Sequence, residues 1–141
     1  MAVQATGERV APTRELRVVL ADDDADFLLI LRARLNLLPG IEVVATAIDG
    51  AEAIAAVERT RPDVVVVDLL MPVVDGYAAL EQLRTRAPGT AAVAYSGVAT
   101  GSARERVGAL GAELVLKTRD TTVLADAIRR CAATGPPSAG T

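Results

Sequence analysis

Histidine is missing altogether from the 141 residues. Its absence excludes imidazole metal sites, a Ser/His/Asp triad and any phosphohistidine role, and leaves acid–base chemistry to carboxylates, lysine or tyrosine. Lysine is almost as scarce: 14 of the 15 basic residues are Arg, and the remaining one is Lys117. Where Arg serves everywhere else, a single Lys marks a place that needs a slim point charge which a broad guanidinium fork could not replace. Cysteine occurs once, so no internal disulfide can form. Cys131 falls with Val123, Leu124, Ala127 and Ile128 on the apolar side of a helical pattern and reads as a small core residue. Basic charge is not in excess, the formal net charge being -3, which leaves no footprint for direct nucleic-acid binding. The apolar runs are broken by charges well short of a membrane span, and residues 1–15 hold no hydrophobic signal region. A cytoplasmic chain without membrane contact is expected.

What the chain has is apolar content, 51% against 23% charged residues, in a length that suffices for one domain with a real core. Residues 1–14 mix Gly, Pro, Thr and charge without a period and are expected to form a disordered extension. Residues 133–141, rich in Pro, Gly, Ser and Ala, are expected to be a flexible tail or linker. Between them, over residues 15–132, strand and helix signals alternate five times. Leu16 to Ala21 predicts a strand ending in Asp22-Asp23-Asp24, and Phe27, Ile30, Leu31, Leu35 and Leu38 predict the apolar face of a helix that Pro39-Gly40 stops. Ile41 to Ala45 predicts a second strand, and Asp49 to Glu52 resembles a capping box opening a helix that ends near Thr60. Asp75-Gly76 opens a third helix with Tyr77, Leu80 and Leu83 inward, Ala91 to Tyr95 is a fourth strand, and Ser102 to Glu105 resembles a capping box for a fourth helix. That helix offers only Val107 and Leu110 as large apolar residues and carries Gly108 inside, so it should be among the least firmly held elements. Glu113 to Leu116 is the fifth strand, and Asp120 introduces the last helix. Strict alternation predicts an α/β fold, a flavodoxin-like (βα)5 doubly wound parallel sheet with strand order 2-1-3-4-5.

The third strand is the centre of the pattern. Val64 to Val67 lie between Asp63 and Asp68 and read as a strand buried on both faces. Asp68 then stands at its carboxyl end, the edge where ligands gather in open α/β sheets, and is placed to be a nucleophile, a metal ligand or simply the cap of the following turn. The other strand ends weigh on that choice. In the expected order, Asp22 and Asp23, Asp68, Ser96 and Lys117 meet at one patch although tens of residues separate them in sequence.

With Leu20-Ala21-Asp22-Asp23, Asp68 followed by Met71-Pro72 and Asp75-Gly76, then Ser96-Gly97 and Lys117, the chain resembles the receiver domains of two-component response regulators over residues 16–131. The stretch Pro39 to Val44 through Asp49-Gly50 is most similar to receivers that precede helix-turn-helix output domains. The resemblance implies that Asp68 accepts a phosphoryl group from a sensor histidine kinase in a Mg²⁺-dependent reaction. It implies Asp23 and Asp68 as direct metal ligands together with the Leu70 backbone carbonyl, and Asp22 acting directly or through water. Lys117 would pair with the Asp68 carboxylate before transfer and with a phosphoryl oxygen after it, and Ser96 would donate its hydroxyl to another. Such a site is chemically reasonable. A carboxylate is a competent nucleophile toward phosphorus, the reaction needs mainly positioning and neutralisation, and crowded carboxylates favour a hard divalent cation. Movement of Ser96 would draw in the loop after strand four, so helix four, strand five and helix five form the expected surface for a downstream effector or output domain, or for a homodimer.

The chain departs from the family in places. Thr118 follows Lys117 where many receivers have Pro, so no cis peptide is expected there, and Leu114 stands where the family usually carries an aromatic that swings inward with the hydroxyl residue. Leu70 and Val98 are apolar at positions that in the family influence water access, which implies slow self-dephosphorylation. Other readings stay open. Phosphatases of the haloacid dehalogenase type also use an Asp nucleophile, Mg²⁺ and a Lys, but place an acidic acid/base two residues on, where this chain has Leu70. A flavin carrier would want hydroxyls after strand one and flanking aromatics, against Asp22 to Asp24 and an aromatic content of 2%. Within the receiver reading the chain catalyses nothing beyond its own phosphorylation and dephosphorylation, and is either a regulator that acts by binding a partner or the receiver part of a longer transcription factor.

Overall fold

Short runs of β-branched and small apolar residues make the five strands: β1 (Leu16–Ala21), β2 (Ile41–Ala47), β3 (Val64–Val67), β4 (Ala91–Ser96) and β5 (Glu113–Leu116). Five helices connect and follow them: α1 (Ala25–Asn36), α2 (Gly50–Thr60), α3 (Gly76–Arg86), α4 (Gly101–Ala109) and α5 (Thr121–Thr134). The computed structural model describes residues 14–134. The extension expected over residues 1–14, apart from Arg14, and the tail expected over 133–141, apart from its first two residues, lie outside the described residues. All strand pairs are parallel, in the order β2-β1-β3-β4-β5, which is the 2-1-3-4-5 order expected.

The four valines of β3 explain why this strand is central. Val65 and Val67 join one apolar cluster with α2, α3 and α4, while Val64 and Val66 join a second with α1 and α5. Both faces are therefore roofed, as parallel sheets require. Helix starts are set by side chains that accept free amides: Asp24 from Phe27, Asp49 from Glu52 and Asp75 from Ala78. Glu52 returns the favour one residue earlier than the box predicts, accepting the Ile48 amide at 3.1 Å.

Three expectations shift. In α1 the buried residues are Leu28, Leu31 and Leu35, whereas Ile30 is 53% exposed. The run from Phe27 to Leu31 is apolar throughout, so spacing alone does not choose a face, and the sheet selects the stripe that interdigitates with β1 and β2. In α4 the cap is Thr100, whose hydroxyl accepts the Ala103 amide at 3.1 Å, and Ser102 lies inside the helix. That start turns Ala103 and Val107, one turn apart, onto the sheet. In α5, Leu124, Ala127 and Ile128 are buried as expected but Val123 is 46% exposed.

Two glycines let backbone approach where the loop after β3 is packed. A Cβ at Gly76 would stand 2.3 Å from the Asp68 carbonyl oxygen, and one at Gly50 would stand 2.0 Å from that of Val74. The start of α2 thus presses on the β3–α3 loop, and the start of α3 presses on the residue at the tip of β3. Within that loop Val73 adopts φ +69°, the left-handed region that a β-branched residue occupies only at a cost.

Candidate functional site

The carboxyl ends of β1, β3, β4 and β5 are adjacent, so the side chains that follow them share one edge of the sheet. Asp22, Asp23 and Asp68 each bring a carboxylate oxygen to within 4.8 Å of the others. Asp22 and Asp68 are buried and Asp23 is exposed, which leaves the cluster open on one side. Asp22 is held at both oxygens: Oδ1 accepts the Asp24 amide at 2.9 Å and Oδ2 accepts Lys117 Nζ at 2.6 Å. Lys117 Nζ also lies 3.4 Å from Asp68 Oδ2. The expected partner of Lys117 was Asp68, and the tighter contact is with Asp22.

Burial and charge together set the titration of the site. Burial pushes the Asp68 carboxyl above its ordinary range; the Lys117 ammonium offsets this in part, the Asp22 charge adds to it, and the Leu70 amide, which donates to the Asp68 carboxylate, works with Lys117. Burial pulls the Lys117 ammonium down, but its bond to Asp22 and the charges of Asp68 and Asp22 outweigh burial and hold it above its ordinary value. Three clustered carboxylates with one ammonium leave a surplus of negative charge and unshared oxygens. That donor set is all hard oxygen and fits a hard divalent cation. The structure brings together four of the expected site residues, Asp22, Asp23, Asp68 and Lys117. Ser96 is buried at the end of β4, but its hydroxyl accepts the Val98 amide at 3.2 Å instead of meeting the carboxylates. The Leu70 side chain points outward, 69% exposed.

The family model described as the response regulator receiver domain matches residues 18–129. The chain belongs to this family. Among solved structures, the signal receiver domain of the putative response regulator NarL from Mycobacterium tuberculosis superposes with a TM-score of 0.80 at 29% identity, covering 85% of this chain and 98% of that one. The response regulator domain of Thermotoga maritima CheB superposes with a TM-score of 0.70 at 27% identity, over 86% and 90% of the two chains. In sequence, the transcriptional regulatory protein PrrA of Mycobacterium tuberculosis is 48% identical over 68 residues, which is 48% of this chain and 28% of PrrA. A protein-glutamate methylesterase/protein-glutamine glutaminase of Geobacter metallireducens is 39% identical over 75 residues, 53% of this chain and 21% of the enzyme. The chain thus spans between about a fifth and somewhat over a quarter of the length of these curated relatives.

Beside the carboxylates, the receiver domain has a cleft of about 400 Å³ lined by Leu70, Tyr77, Ser96, Val98, Thr100 and Arg106. Ser102, Ala103 and Arg106 of α4 form part of its wall. Arg106 places its guanidinium carbon 3.8 Å from the centroid of the Tyr77 ring, Arg104 donates to the Leu114 carbonyl at 3.1 Å, and Arg84 of α3 donates to the Ala109 carbonyl at 2.9 Å. These arginine contacts were not foreseen, since the periodicity that finds helices counts apolar residues. Phe27, whose ring faces Lys117, and Tyr95, which packs on Phe27, were likewise not assigned to the site. The scarcity of aromatics was the signal that could have found them: all three in the chain lie at this edge. Among the described residues no helix is long and apolar enough to cross a membrane.

Proposed function

We propose that this receiver domain is a cytoplasmic phosphoryl-accepting switch, in which Asp68 takes a phosphoryl group from the phosphohistidine of a sensor kinase. The observation that carries the reading is the meeting of Asp22, Asp23 and Asp68 oxygens within 4.8 Å, with Lys117 bonded between two of them, at the carboxyl edge of the sheet. An Asp68 oxygen attacks phosphorus, the P–N bond to the kinase imidazole breaks, and the imidazole leaves with the electron pair. Asp22, Asp23, Asp68 and the Leu70 carbonyl would hold Mg²⁺. When bound, the cation neutralises the clustered carboxylates and the charge that develops on the phosphoryl oxygens.

The chain's own residues do the rest. Burial keeps water from the Asp68 carboxylate, the Leu70 amide fixes its orientation, and Lys117 supplies a positive charge that turns from Asp68 to a phosphoryl oxygen once the bond is made. Ser96 gives up the Val98 amide and donates its hydroxyl to the acquired group, which shortens the path from the site to α4. Output then leaves through α4, β5 and α5, toward an effector, an output domain or a second copy of the chain. Leu70 and Val98, exposed and apolar on the rim, offer no side chain to orient a hydrolytic water, so the phosphoryl group is lost slowly. On this reading the domain promotes only its own phosphorylation and dephosphorylation. The identity to PrrA favours a second reading in which the domain is the receiver part of a DNA-binding transcriptional regulator.

The test is intact mass after incubation with acetyl phosphate, with and without Mg²⁺, on the wild type and on Asp68→Asn. A Mg²⁺-dependent gain of one phosphoryl group that disappears in the variant is expected. A folded wild type that gains nothing in the presence of Mg²⁺ overturns the proposal.

A further inference from the structure

One of the chain's three aromatic residues faces its one lysine, and a second packs against the first. Phe27 lies in the first turn of α1, where Asp24 accepts its amide at 3.1 Å, and its half-buried ring has its centroid 4.5 Å from Lys117 Nζ. Tyr95, in β4, packs its ring at 6.3 Å from that of Phe27. Its hydroxyl donates to the Thr118 carbonyl at 3.4 Å, one residue beyond Lys117. The ammonium therefore meets Asp22, Asp68 and the ring face, and the second ring contacts both the first ring and the loop that carries the lysine.

The lysine stem is long and flexible, and its tightest partner, Asp22, is also a member of the carboxylate cluster that fits a divalent cation. A cation taken up there competes for Asp22 and repels the ammonium, which would let the stem swing into water. The negative face of an aromatic ring attracts an ammonium without neutralising it and without the directional demand of a carboxylate. An aliphatic side chain of similar size fills the space but supplies no such attraction. We propose that Phe27 is a positioning residue for phosphoryl transfer: its ring, backed by Tyr95, keeps the Lys117 ammonium at the edge of the cluster, within reach of Asp68, when a metal ion displaces it from Asp22. This role rests on the receiver reading.

The lone lysine makes the test direct. Protein grown with ¹³C-labelled lysine gives one side-chain ε-methylene signal in NMR, and a ring face whose centroid lies 4.5 Å from the adjoining Nζ shifts the methylene protons upfield. The expected result is an upfield-shifted signal in the wild type with and without Mg²⁺, a return to the free-lysine position in Phe27→Leu, and retention of the shift in Phe27→Tyr. The rate of phosphorylation by acetyl phosphate at saturating Mg²⁺ should fall about fivefold in Phe27→Leu, within the range of cation–π contacts, and recover in Phe27→Tyr. Adding Phe27→Leu to Lys117→Met should cause no further loss, because the ring acts through the ammonium. A wild-type signal at the free-lysine position overturns the proposal whether or not the leucine variant folds, and so does an equal loss in both backgrounds, which would mark Phe27 as ordinary packing. A wild type that takes no phosphoryl group yet shows the ring-shifted signal sinks the receiver reading, and this role with it, while the contact itself stands.

Discussion

Helices α2 and α4 lie against the same face of the sheet, within one apolar cluster, yet are fastened by different means. In α2, five of eleven residues are buried, the start is capped by Asp49 and Glu52, and Gly50 sits too close to the Val74 carbonyl for any side chain. In α4, two of nine residues are buried and the start is capped by Thr100 alone, with guanidinium contacts from Arg84, Arg104 and Arg106 around it. The difference is one of exchange. Apolar area contributes roughly 25 cal/mol per Å² that only burial can supply, whereas a hydrogen bond or cation–π contact nets only about 1 kcal/mol, because water replaces most of it on opening. On this ground α4 should leave the sheet more readily than α2. It begins five residues after Ser96, at the site's edge.

The strongest way to break this contrast is to remove the burial that fixes α2. Ile54→Ala should cost about 3 kcal/mol, and Gly50→Ala a similar amount by driving its methyl into the Val74 carbonyl. Both should lower the urea midpoint of the whole domain with an unchanged slope. A loss below about 1 kcal/mol in both would mean that α2 is no better anchored than α4. Next in size, Arg104→Ala combined with Arg106→Ala should cost about 1 kcal/mol. The loss should appear as roughly fivefold faster hydrogen exchange at α4 amides such as Val107 while the amides of α2 are unchanged; equal acceleration in both helices would refute independent opening.

A smaller effect separates site charge from helix anchoring. The folded-state pKa of Asp68 is raised, so its stability contribution is intact below the ordinary aspartate value of 3.8 and is lost as pH rises through the folded value. Without metal, Asp68→Asn should therefore melt roughly 2–3 °C higher than the wild type at neutral pH and no higher in acid below the ordinary value. A variant less stable at neutral pH would show that the contact with Lys117 outweighs burial. The smallest expected change is Val73→Gly. It relieves a left-handed β-branched residue at the cost of glycine's extra freedom in the unfolded chain, for a net gain of about 0.5 kcal/mol in denaturant melts. A net loss would show that the loop pressed by α2 is not strained.

Much of this could be read in the sequence because the relevant signals are periodic or terminal. Four valines between two aspartates mark a strand buried on both faces, and strict alternation orders the sheet. Once the order is known, Asp22, Asp23, Asp68 and Lys117 must converge, however far apart they lie in the chain. The sparse apolar content of α4 likewise foretold that few of its residues are buried. What escaped depends on side-chain geometry in three dimensions. Phe27 to Leu31 is apolar at every position, so only contact with the sheet reveals that Ile30 faces out. Thr100 and Ser102 both carry a capping hydroxyl, and the choice falls to whichever start buries Ala103 and Val107. That Lys117 sits nearer Asp22 than Asp68, with Phe27 beside it, follows from where buried oxygens and rings come to rest, which no spacing rule encodes.

The sheet has two outer strands, and each has an unpaired main-chain group occupied by a helix. On β2, the Asn36 side chain accepts the Val43 amide at 2.8 Å, beside the irregularity where Val18 pairs with Val43 and Val19 with Ala45. On β5, the Lys117 amide bonds Ser96 and so faces inward, which turns Leu114 outward, where Arg104 takes its carbonyl. Each side chain takes one main-chain group that an added strand would pair with, so two copies fusing their sheets edge to edge would have to displace the contact on the margin they use. On the β5 side that contact comes from α4, so lifting this helix would also free the Leu114 carbonyl.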